Sequence, residues 1–70
     1  MIGNRYTAPA EVVDSRVVQV IGREKHERDC RYKLRGTGDT AYWCVEVRDG
    51  KPRGPAFAVG SDELKTWEKL

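Results

Sequence analysis

The stretch Cys30-Arg31-Tyr32-Lys33-Leu34-Arg35-Gly36, followed across Thr37-Gly38-Asp39-Thr40 by Ala41-Tyr42-Trp43-Cys44-Val45-Glu46-Val47-Arg48, decides the fold class. Its first half alternates strictly, with Cys30, Tyr32 and Leu34 on one face and Arg31, Lys33 and Arg35 on the other. Alternation of period two is the mark of a half-buried strand. The second half alternates as well, Trp43, Val45 and Val47 against Tyr42, Cys44, Glu46 and Arg48. The four residues between the halves have turn chemistry. Pairing Gly36 with Ala41 then sets Leu34 opposite Trp43, Tyr32 opposite Val45 and Cys30 opposite Val47. The other face pairs Arg35 with Tyr42, Lys33 with Cys44 and Arg31 with Glu46. A slip of one residue would set apolar against charged side chains throughout, so a hairpin in this register is expected.

Working outward, residues 12–21 are rich in β-branched side chains and read as a strand. Two registers against the 30–36 strand survive. The preferred one sets Val18 opposite Leu34 and Val20 opposite Tyr32, leaving Val17, Gln19 and Ile21 on the outer face. The other exchanges these sets and would bury Gln19. Residues 22–29 are polar and read as a loop or hairpin tip. Residues 49–55, with Gly50, Pro52, Gly54 and Pro55, read as a loop. A short strand over 56–59 follows, with Phe57 expected opposite Val47 and Val59 opposite Val45. Residues 1–10 form an N-terminal arm with a short strand over 5–8, ended by Pro9. Ser61-Asp62-Glu63 suits a helix start. A helix bearing Leu64, Trp67 and Leu70, or one helical turn and then a strand over 67–70, both fit this end.

With 70 residues the chain is one domain. A domain this small buries only about 60% of its unfolded surface, which argues against a deep enzyme pocket. No apolar run approaches a membrane span, and the first five residues lack a signal core. The expected setting is cytoplasmic, with reduced thiols. In the register above Cys30 points inward and Cys44 outward, roughly 10 Å apart along the strands at a rise of ~3.3 Å. A disulfide needs Cα atoms within about 7 Å, so none is expected.

Arg16-Val17-Val18-Gln19-Val20-Ile21-Gly22-Arg23, the 30–36 and 41–49 strands, Phe57-Ala58-Val59, and the ending Ser61-Asp62-Glu63-Leu64 then Trp67-Glu68-Lys69-Leu70 together resemble an SH3-like small β-barrel. The resemblance is one of pattern over residues 5–70. It implies an all-β fold, a small antiparallel barrel or curled sheet of four or five strands with a short C-terminal helical element. A curled three- or four-stranded sheet with a C-terminal helix on one face is the competing architecture. Compact chains of this pattern are often phage- or plasmid-encoded, and ligands of the family bind at loop tips and aromatic-lined sheet edges.

The chemistry-bearing residues are sparse. His26, Cys30 and Cys44 are the only soft ligands, too few for structural zinc. A nucleophilic pair would require Cys30 or Cys44 within hydrogen-bond reach of His26 and a group to orient it. The carboxylates fall mostly in turns, and Gly36-Thr37-Gly38 lacks the helix and Lys of a phosphate cradle. No catalytic residue, metal or cofactor is expected. The net charge of +2 is too small to imply nucleic acid, but residues 23–35 hold six basic and three acidic side chains. Arg31, Lys33 and Arg35 share one strand face in the expected register, with Tyr42 opposite Arg35, Arg23 nearby, and Val17 and Ile21 adding apolar area. Such a face suits an acidic protein partner, with Tyr and Arg as anchors, or a nucleic-acid backbone with a stacked base. The expectation is a non-enzymatic binding protein, monomer or homodimer, engaging a macromolecular partner and no membrane. A protein is favoured over nucleic acid as that partner. One version, by analogy of size, is an anti-CRISPR-like inhibitor of a bacterial nucleic-acid-handling complex. Direct nucleic-acid binding by the same face is the alternative, and an oligomeric enzyme with a site between subunits is a third.

Overall fold

The computed structural model describes residues 2–70. Six strands and one helical turn follow in the order β1 (Arg5–Thr7), β2 (Val17–Lys25), β3 (Leu34–Arg35), β4 (Thr40–Arg48), β5 (Lys51–Gly60), α1 (Ser61–Leu64) and β6 (Glu68–Lys69). They form one sheet, ordered β3-β5-β4-β2-β1-β6, curled into a half-barrel. The all-β curled sheet with a short helical element near the C-terminus is therefore what the chain adopts. The helical turn followed by a strand is the ending that forms.

The pairing inside the sheet differs from the expected one. β4 does not pair with the 30–36 stretch. It lies between β2 and β5, antiparallel to both, with Val20 opposite Cys44 and Cys44 opposite Phe57. Only Leu34 and Arg35 of the expected strand are strand, and they run parallel to β5, opposite Ala58 and Val59. The expected matches Arg31–Glu46, Val18–Leu34, Val47–Phe57 and Val45–Val59 are absent from the ladders. The reason lies at Gly36-Thr37-Gly38. Instead of reversing the chain, this segment crosses the start of α1, where the Asp62 amide donates to the Thr37 carbonyl at 2.9 Å. Gly36 and Gly38 both have positive φ there, and a Cβ on Gly38 or Gly60 would collide with Ser61 or the Thr37 carbonyl. That crossing carries β3 to the far side of β5, where a parallel partner is the geometry left.

Three further boundaries move. β2 starts at Val17 rather than at residue 12, because residues 9–16 make two turns, Val12 N–H to Pro9 O and Arg16 N–H to Val13 O. β2 also continues through Lys25, where a loop was expected. Residues 49–55 are not a loop. Asp49 and Gly50 both have positive φ, 52° and 76°, so they form a two-residue hairpin turn and β5 begins at Lys51. Pro52 and Pro55 are tolerated because this part of β5 is a sheet edge.

Alternation in β2 buries Val18 and Val20 completely, in agreement with the preferred inward set. Ile21 has no residue opposite it, since Val20 faces Cys44 and Gly22 faces Trp43. It is the extra residue of a bulge and is 46% exposed. The core gathers Tyr6, Ala8, Val18, Val20, Cys44, Val59, Leu64 and Trp67, with Val12, Val13, Tyr42 and Phe57 packed against it. The cysteines exchange roles. Cys44 is fully buried and Cys30 half-buried, and both are free. Among the described residues no helix is long and apolar enough to cross a membrane.

Candidate macromolecule-binding surface

The seven residues singled out as a binding face are divided among several places. Arg23 stands opposite Tyr42 in the β2–β4 ladder, Tyr42 stands opposite Val59 in β4–β5, and Val59 stands opposite Arg35 in β5–β3. Arg23, Tyr42 and Arg35 thus share one rung and one side of the sheet. They do not form a continuous patch, because Val59 is wholly buried in the core between them. Val17 is half-buried opposite Thr7 in β1, away from that rung. Ile21 protrudes at the bulge. Arg31 and Lys33 are exposed on the segment that leads into β3.

Lys33 and Arg35 do come together. With Val12, Phe57 and Ala58 they line a groove of about 290 Å³ at the β3–β5 edge. The floor is apolar and the polar wall is cationic. Arg35 Nη2 lies 3.5 Å from Glu11 Oε1, an exposed contact. Surface pairs of this kind contribute little, about 0–1 kcal/mol. Arg35 Nε is buried and has no acceptor among the described residues. A buried unpaired donor costs about 1–3 kcal/mol, more when charged, so this N–H is the least satisfied cationic donor of the groove. Val12 and Phe57 were not in the expected set. Their apolar character was legible, but their position beside β3 depends on the parallel pairing.

The segment between β2 and β3 presents Arg28, Arg31 and Lys33 to solvent and is pinned from beneath. The His26 amide donates to the Asp39 carbonyl at 2.9 Å. The Tyr32 ring meets Trp43 edge-on, centroids 4.9 Å apart, and lies 6.0 Å from the His26 ring. Trp43 Nε1 donates to Glu24 Oε1 at 2.7 Å, so this carboxylate is engaged beside the cations. Burial first, then the Glu24 charge, raises the Tyr32 phenol above its ordinary value. His26 Nδ1 and Cys30 Sγ stand 3.5 Å apart, so the His–Cys approach that the sequence left as a condition is met.

Two other concavities have different chemistry. Tyr6, Tyr42, Leu64 and Trp67 line a hollow of about 210 Å³ edged by Lys65 and Lys69. A wider depression beneath the β4–β5 turn is lined by Arg5, Asp14, Val17, Val47, Arg48 and Leu70, among others. Its guanidiniums serve the fold. Arg5 bonds Gln19 Oε1 and the Gly50 carbonyl, and Arg48 pairs with Asp14 at 3.2 Å and Glu46 at 3.1 Å. Glu46 also accepts the Ser15 amide at 3.0 Å. That bond first, with Arg48 helping, holds its carboxyl below the ordinary range. Among the described residues no group of three or more His, Cys, Asp or Glu is placed to hold a metal. No protein-family model matches the chain, and no curated protein or solved structure matches it.

Proposed function

We propose that the chain is a non-enzymatic binding protein whose partner is another protein, docked at the Lys33–Arg35 groove through an acidic side chain on an apolar shoulder. The observation that carries this reading is the buried, unpaired Arg35 Nε beside an apolar floor of Val12, Phe57 and Ala58. A carboxylate entering from outside would meet Lys33 and the outer nitrogens of the Arg35 guanidinium, whose inner N–H has no partner among the described residues, while its apolar neighbour covers Phe57. Glu11 holds the outer nitrogen of Arg35 in the free protein and is exposed enough to give way. Side chains rather than backbone make the contact, because Pro52 and Pro55 leave the free edge of β5 short of ladder donors.

The test is fluorescence anisotropy with a labelled peptide of alternating Glu and Leu, alongside a labelled single-stranded DNA. Each is titrated at about 50 and 200 mM salt, a span over which phosphate-driven binding falls steeply. Peptide binding that persists at the higher salt, and is lost in Arg35→Ala but kept in the Arg28→Ala/Arg31→Ala double variant, supports the groove. DNA binding that collapses with salt and depends on Arg28 and Arg31 instead overturns it in favour of nucleic acid. Binding of neither probe at the lower salt also overturns it.

A further inference from the structure

The segment between β2 and β3 holds a nucleophile and a base that the binding reading does not use. Cys30 Sγ lies 3.5 Å from His26 Nδ1 and within the same distance of the Tyr32 carbonyl. The His26 main chain is anchored by its amide bond to the Asp39 carbonyl, and its ring lies 6.0 Å from the Tyr32 ring. Cys30 is half-buried; Arg28 and Arg31 flank it as exposed cations, and Glu27 and the adjacent Asp29 as exposed carboxylates. The other cysteine has none of this: Cys44 is fully buried in the core. Reactive thiols sit in partly exposed, electropositive surroundings beside a base, and buried thiols in apolar ones are inert.

We propose that Cys30 is a His26-activated thiol that exchanges with small anionic disulfides, making this segment a site of reversible thiol modification. The Cys30 thiol passes its proton to His26 Nδ1, which must carry the lone pair, with hydrogen on Nε2. The thiolate attacks one sulfur of the disulfide. A bond forms from Cys30 Sγ to that sulfur as the original S–S bond breaks. The departing thiolate takes the proton from the imidazolium. Cys30 is oxidised to a mixed disulfide, and the other half of the reagent leaves reduced. Arg28 and Arg31 are the exposed cations that would meet a negatively charged reagent, with Glu27 and Asp29 opposing them on the same segment.

The experiment follows the reaction of the folded protein with 5,5′-dithiobis(2-nitrobenzoate), a dianionic disulfide, across pH 5–9. One fast thiol per chain is expected, absent in Cys30→Ser, with a second thiol appearing only on unfolding. The rate should depend on the His26 imidazole across this range. His26→Ala should slow the reaction at pH 7 by roughly tenfold or more, because the base beside the thiol is lost. Neutral iodoacetamide should show the same dependence on His26 and less on salt. If His26→Ala does not fold, His26→Asn decides, since it keeps a polar side chain without the base. Equal rates with and without the His26 imidazole, or a fast thiol that survives in Cys30→Ser, overturn the proposal.

Discussion

Cys44 is the residue at which folding and ionisation oppose each other most directly. It is fully buried, and burial pushes its thiol up to about 12 from an ordinary 9.0. A folded-state value above the unfolded one means that the stabilisation is complete below pH 9 and is lost as pH rises toward the folded value. Each unit in that window costs up to about 1.4 kcal/mol. Thermal melts from pH 8 to 11 should show Cys44→Ala losing less stability with pH than the wild type. Identical slopes would contradict the burial. Arg35 is held on its outer side alone. Its exposed carboxylate contact is a weak one, and its inner N–H is unpaired. Neither state could be read from the sequence. Alternation placed Cys44 outward because its neighbours Trp43 and Val45 are larger apolar groups, and nothing local says that β2 rather than the 30–36 stretch lies beside it.

At the level of elements, glycines decide how the connections run. A Cβ on Gly60 would meet the Thr37 carbonyl, whereas one on Gly22 would meet nothing within 4 Å. Gly60→Ala should therefore cost about 1–3 kcal/mol, as overpacking does, and Gly22→Ala should stay within about 0.5 kcal/mol. Urea unfolding of the pair separates a packed crossing from a loose loop, and equal costs would speak against the crossing. The end of β4 is held differently. The Ser15 amide and Arg48 keep the Glu46 carboxyl below its ordinary value of 4.5. A lowered folded-state value contributes stability above pH 4.5, and that contribution is lost as pH falls through the folded value. Glu46→Gln should melt lower than the wild type at pH 7 and converge with it as the pH falls well below 4.5. A difference that persists in acid would assign the loss to packing instead. These elements were legible in unequal measure. The Asp49-Gly50 pair is a strong hairpin signal, yet the glycines and prolines that follow read as a loop, since a proline-bearing edge strand looks like a loop until its neighbours are known.

For the molecule as a whole, the margin is narrow. A domain of this length has roughly 4–10 kcal/mol of stability in total, taking about 0.05–0.15 kcal/mol per residue. Leu64, 2% exposed in the one-turn helix α1, sits in the same cluster as Val18, Val20 and Val59. Leu64→Ala should cost about 2–5 kcal/mol, enough to leave much of the chain unfolded at moderate denaturant. Ile21→Ala, at the exposed bulge, should stay within about 0.5 kcal/mol. Denaturant midpoints report both, and a mild Leu64 effect would mean that α1 does not close the core. The candidate surface shows the same division between local and global. That residues 23–35 are a cationic segment was legible from composition. That Lys33 and Arg35 meet Val12 and Phe57, while Arg23 and Tyr42 lie beyond a buried valine, follows from the order of the strands.

The sequence by itself determined what is local. It pointed to an all-β chain, strands at β4 and over Val17–Ile21 of β2, Val18 and Val20 as the preferred inward set of β2, a helical start at Ser61, and a basic middle segment. Each of these is carried by spacing, branching or charge within a few residues. Only the tertiary structure decided which strand lies beside which, and with that the burial of Cys44, the approach of Cys30 to His26 and the composition of the Lys33–Arg35 groove. The physical reason is the tight passage of Gly36-Thr37-Gly38 over α1, whose partners are about 25 residues further along the chain. Alternation is satisfied equally by any neighbour that offers an apolar face, so the choice among neighbours falls to that distant contact.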